Sequence, residues 1–177
     1  MRILVDINQY GMRIVTNPSK IINDGMNYDT ADNTGIDMSL DYIQKTLTEN
    51  GIHTNIDGFK VSRMDTAQTS EVKYSFTEYP FHLLKAKRMV SKNYGTTHLF
   101  HNGQREVCFY DKMEQIKSEH KIKDPWSYFG IEKGKNIMRA ELRTLNHDAF
   151  IKTYGDFKPR ELGNREVYEE IKRNQLS

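Results

Sequence analysis

The sequence predicts an α+β fold, an antiparallel sheet of about four or five strands with helices packed on one face, and three observations lead there. An Asn-Gly dipeptide separates two alternating segments in TTHLF-HNGQ-REVCFYDK. A further alternating run, NIMRAELRTL, follows at residues 136–145. Apolar residues at helical spacing occur both before and after these strands. At 177 residues and 20.8 kDa the chain suits a single domain over 1–177, with a helical tail over 146–177.

Each element has a local reason. Arg2–Ile7 reads as a short strand, and the Asn, Asp, Gly and Thr that follow it favour turns, so residues 1–58 receive no functional assignment. Leu40, Ile43 and Leu47 recur at helical spacing over Met38–Glu49, with Asp37 or Ser39 as cap and Gly51 as stop. Phe59–Thr69 is rich in extended-type residues, and Phe81–Val90 reads as a helix with a basic side. If Asn102 and Gly103 form a two-residue loop with positive φ, His98 faces Val107 and Thr97 faces Cys108. Glu106, Cys108 and Tyr110 then share one strand face, and Val107 and Phe109 the other. In the tail, Phe150 with Tyr154 and Val167 with Ile171 mark two helices broken at Pro159–Gly163.

No apolar run is long enough to span a membrane, and MRILVDINQYG lacks the apolar stretch of a secretion signal, so the expected location is the cytoplasm. The lone Cys108 excludes an internal disulfide. Residues 1–60 carry five Lys/Arg against eight Asp/Glu, whereas residues 61–177 carry 21 against 16, so a polyanionic partner is sought in the later part.

Three strand segments carry polar groups that could do chemistry: Ser62–Asp65 (SRMD), Cys108–Lys112 (CFYDK) and Arg139–Leu142 (RAEL). Their order and spacing resemble the rolling-circle replication initiators of filamentous phages, the gene II proteins, and more loosely the Rep proteins of rolling-circle plasmids. The matching motifs are Ser62-Arg63-Met64-Asp65, Tyr110-Asp111-Lys112 and Arg139-Ala140-Glu141, and the resemblance covers roughly residues 59–145. It implies a tyrosine-dependent endonuclease and strand transferase that nicks one DNA strand and stays joined to its 5′ phosphate.

In that reading Tyr110 is the nucleophile. A phenol ionises near pH ~10 and needs a neighbouring cation, a role for Lys112 on the same strand face. Asp65 and Glu141 would hold a divalent cation, Mg or Mn, that polarises the phosphoryl oxygen. His101 is a candidate third ligand, and Glu106 and Glu114 could complete the shell, because Leu145 stands where filamentous-phage members carry a second acid. His98 falls among apolar residues and reads as a core histidine. Arg63, Arg139 and Arg143 would hold phosphates or else simply neutralise Asp65 and Glu141. Lys85, Lys87, Arg88 and Lys92 with Tyr94 suit single-stranded nucleic acid or a solvated helix face. Trp126, Tyr128 and Phe129 read as core anchors. Two alternatives stand beside the initiator: a noncatalytic DNA-binding protein or shortened initiator, and a mobilisation relaxase. Host replication proteins are conceivable partners, and no membrane partner is expected.

Overall fold

The computed structural model describes residues 3–9, 11–25, 31–81, 84 and 87–175. The fold is mixed α+β, and the chain divides into two compact units where the composition suggested one: residues 1–61 with 156–177, and residues 62–155.

In the first unit, β1 (Leu4–Asn8) and β2 (Gly11–Val15) form an antiparallel hairpin, so the single strand expected here has a partner drawn from the expected loop. A short α1 (Pro18–Ile22) and a long α2 (Asn33–Glu49) follow. The α2 cap is Asp32, whose carboxylate accepts from the Gly35 N–H, so the cap lies five residues before the expected Asp37 and seven before Ser39. Leu40, Ile43 and Leu47 on α2 pack with Ile56, and Val5, Ile14 and Ile21 close over them. Pro159–Gly163 forms a 3-10 helix against α2, and α6 (Arg165–Gln175) completes the unit. Arg160 ties the unit together by pairing with Asp41 at 2.6 Å and Asp57 at 3.0 Å.

The second unit is a five-stranded antiparallel sheet in the order β3-β7-β6-β5-β4: β3 (Asp65–Val72), β4 (Val90–Asn93), β5 (Thr97–His101), β6 (Arg105–Asp111) and β7 (Asn136–Thr144). Among the described residues three α-helices accompany it: α3 (Lys112–His120), α4 (Pro125–Tyr128) and α5 (His147–Tyr154). Helix α5 packs on the sheet through Tyr154, whose hydroxyl lies 3.1 Å from that of Thr66. Thr144, fully buried, ties the chain before β3 to β7 through Met64, accepting from its N–H and donating to its carbonyl.

Three sequence expectations are corrected here. The β5–β6 hairpin pairs His98 with Phe109 and Thr97 with Tyr110, two residues away from the expected register. The loop is Asn102–Gln104, without positive φ at Asn102 or Gly103, because the Asn102 carboxamide oxygen accepts from the Gln104 and Arg105 N–H groups and closes an Asx turn. A two-residue shift keeps side chains on their faces, so the partition of the hairpin survives. Where a helix is expected over Phe81–Val90, the described residues at the end of that segment depart from it: Lys87 and Arg88 lie in a turn with Arg88 at φ 61°, and Val90 opens β4; Phe81, nearer the start, follows a 3-10 turn (Phe76–Glu78). Lys85 lies outside the described residues. Finally, β6 ends at Asp111 and the chain turns into α3, so Lys112 and Glu114 are helical residues and do not continue the strand.

Candidate functional site

Strand register sets the site. Cross-strand partners share a face, and one face carries three rows: Thr97–Tyr110–Arg139–Thr69, Lys92–Leu99–Cys108–Glu141–Ala67, and Val90–His101–Glu106–Arg143–Asp65. Asp65, Tyr110 and Glu141, chosen from sequence, therefore stand on the same face of adjoining strands. The opposite face carries His98, Phe100, Phe109 and Leu142. His98 is buried among the rings of Phe81 and Phe100 and lies 2.8 Å from the Ser91 hydroxyl through Nε2, as expected of a core histidine.

Glu141 is the centre of the polar face. Its Oε1 accepts from the Tyr110 hydroxyl at 2.6 Å and from Arg139 Nε at 3.0 Å. Its Oε2 accepts from Arg143 Nε at 3.0 Å and Nη2 at 2.6 Å. Arg143 also donates through Nη1 to Glu106 at 2.6 Å, and Arg139 through Nη1 to the Thr69 hydroxyl at 3.1 Å. The cluster is secluded, with side-chain exposures of 5% for Arg139 and 12% for Glu141, and 5% for Tyr110 as a whole residue.

The electrostatics follow from that burial. Burial pushes the Glu141 pKa up, but the hydrogen bonds from Tyr110 and Arg143 and the charges of Arg143 and Arg139 outweigh it and hold the carboxyl below its ordinary range. Tyr110 moves the other way: burial, then the Glu141 charge and the hydrogen bond to it, raise the phenol far above its usual value despite Arg139 nearby. Cys108 is buried, and that burial pushes its thiol up to about 11 despite the charge of Arg143 nearby. For Arg143, burial opposes the charge, but the Glu141 and Glu106 carboxylates outweigh it and raise its pKa.

The remaining expected residues fall as follows. Lys112 is buried at the first position of α3. Its ammonium donates to Gln115 Oε1 at 2.8 Å and lies 5.9 Å from the centre of the Tyr110 ring, a placement reached through the helix and not along the strand. Glu114 pairs with Lys117 within α3 at 2.6 Å. Arg63 donates to both oxygens of Asp65, each at 3.0 Å, in a pair exposed by about two fifths. Lys87, Arg88, Lys92 and Tyr94 are exposed, Tyr94 by 63%. Trp126 is anchored through its indole N–H to the Lys135 carbonyl at 2.8 Å, whereas Tyr128 is 47% exposed rather than a core anchor.

A divalent ion implied by the initiator resemblance would need carboxylate lone pairs facing a common point. Glu141 commits both oxygens to guanidinium and phenol donors, and Asp65 commits both to Arg63. Among the described residues no group of three or more His, Cys, Asp or Glu side chains is arranged to hold a metal. In this arrangement the two carboxylates do not fit a shared ion. Among the described residues no helix is long and apolar enough to cross a membrane.

One feature escaped the sequence reading although its signal was there. KYSFTEYPF places four aromatic residues between Tyr74 and Phe81, and in the structure their rings form a continuous series. No protein-family model, curated protein or solved structure matches the chain.

Proposed function

We propose that the 62–155 unit binds single-stranded DNA without cleaving it, as a noncatalytic relative of the rolling-circle initiators. The observation that carries this reading is a division of labour among the cations. Arg139 and Arg143 are consumed by Glu141, while Lys87 and Arg88 stand exposed in the turn that precedes the edge strand β4, Lys92 stands exposed on β4, and Tyr94 stands exposed just after it. The charge distribution supports it: residues 62–155 hold 16 Lys/Arg against 11 Asp/Glu, a net of +5, and the rest of the chain holds 10 against 13. Backbone phosphates would pair with the exposed cations and a base would stack on Tyr94.

A second reading, the nicking initiator, is favoured by one specific contact, the 2.6 Å hydrogen bond that gives the Tyr110 proton an acceptor in Glu141 with the Lys112 ammonium nearby. In that reading the cluster must open to admit a phosphate, with Glu141 taking the phenol proton as Tyr110 attacks phosphorus and the 3′ oxygen leaves. Incubation with circular single-stranded DNA and manganese, followed by a denaturing gel, separates the two. The binding reading expects a mobility shift on native gels and no covalent adduct. An adduct formed by the wild type and lost in Tyr110→Phe would establish the initiator instead.

A further inference from the structure

Behind the β4 edge, on the face opposite Glu141, lies a cavity of about 270 Å³ lined by Tyr79, Phe81, Asn93, Gly95 and His98, with Phe76 and Glu78 among its other walls. We propose that this cleft is a nucleobase pocket, in which one base of the bound strand inserts against Tyr79 and Phe81. The proposal rests on the single-strand reading above and adds the place where a base, and not only a phosphate, is held.

Size is the first argument. Pockets for drug-sized ligands run about 300–1,000 Å³, so this one suits a single flat ring better than a whole nucleotide cofactor. The walls are the second. Phe81 stacks on Phe76 at 4.9 Å, on Phe109 at 5.2 Å and on His98 at 5.6 Å between ring centres, so it is a rigid wall of the cleft, braced from several sides. Tyr79, half-buried, lies 5.9 Å from Phe81 and 6.1 Å from Tyr74, which is 49% exposed and carries the Lys73 ammonium 5.1 Å from its ring centre. A line of rings therefore runs from solvent into the cleft with a cation at its outer end, the combination that tracks stacked bases and their phosphates. The polar groups on the walls are the third. Asn93 accepts from the Gly95 N–H through its carboxamide oxygen at 2.9 Å, which leaves its amide N–H groups to donate, and Glu78 accepts from the Ser75 N–H and hydroxyl through Oε2 alone. These groups can meet the edge of a base that apolar walls alone would leave unsatisfied.

Fluorescence anisotropy with a labelled thymidine dodecamer and an abasic dodecamer of equal phosphate number isolates the base from the backbone. The wild type should prefer the thymidine strand by about 5-fold or more, Tyr79→Phe should keep that preference, and Tyr79→Leu should remove most of it. An iododeoxyuridine dodecamer irradiated with the unaltered protein should crosslink to Tyr79, Phe81 or His98, which needs no variant to fold. Binding with no base preference, a preference untouched in Tyr79→Leu, or crosslinks confined elsewhere would overturn the pocket while leaving DNA binding intact. Failure to bind either strand would overturn the single-strand reading itself.

Discussion

Glu141, which the sequence offers as a metal ligand, accepts hydrogen bonds from one tyrosine and two arginines in the structure. It sits on β7 between Arg139 and Arg143, each two residues away and therefore on its own face, and opposite Cys108 on β6. With little water available, its charge is compensated by those two guanidinium groups and the Tyr110 hydroxyl. Removing one partner of such a buried pair leaves the others uncompensated, so Glu141→Gln should lower stability by about 3–5 kcal/mol. The pH dependence has a definite sign. Because the folded-state pKa is depressed, the contribution of Glu141 is present above the unfolded carboxyl value, near ~4.3, and is lost as pH falls below it toward the folded value. Thermal melts of wild type and Glu141→Gln between neutral and acidic pH check both points, with the difference between the two curves shrinking on acidification.

At the scale of elements, the end of β6 is decided by Asp111. Its carboxylate accepts from the Met113 and Glu114 N–H groups and caps α3, which turns Lys112 inward to a buried position near the Tyr110 ring. Asp111→Ala should cost about 1 kcal/mol, measured by urea denaturation. This boundary was legible: Asp111 followed three residues later by Glu114 is a helix-start signal, but the alternation of REVCFYD ran up to it and suggested further strand. The faces of β6 and β7 were legible for the opposite reason, since a period of two is insensitive to a register error of two. The hairpin register was hidden because it depends on an Asn102 side-chain turn, and the turn at Lys87 and Arg88 because the basic and apolar residues around it mimic a helical face. Which arginines were internal was likewise hidden: an Arg two residues from a Glu fits a phosphate clamp and an ion pair equally well until burial is known.

For the whole molecule, the sequence reads as one domain with a basic later half, whereas the fold collects the entire positive excess into residues 62–155 and returns the C-terminal helix α6 to the N-terminal unit. The N-terminal unit has its own packing constraint in Gly163, which lies so close to the Asp37 carboxylate that a Cβ there would overlap it. Because the overlapping atoms are the end of the flexible Asp37 side chain, which can rotate away, Gly163→Ala should cost no more than about 1 kcal/mol in thermal or urea denaturation. The central claim is that the exposed cations at the β4 edge contact DNA while the Tyr110–Glu141–arginine cluster serves the fold. The salt dependence of binding to a single-stranded oligonucleotide tests it most directly. Each phosphate neutralised contributes a log–log slope of about −0.7, so replacing Lys87, Arg88 and Lys92 together by Ala should flatten the slope by roughly 2, and Tyr110→Phe should leave it as in the wild type. An unaltered slope in the triple variant, or its collapse in Tyr110→Phe, would contradict the account.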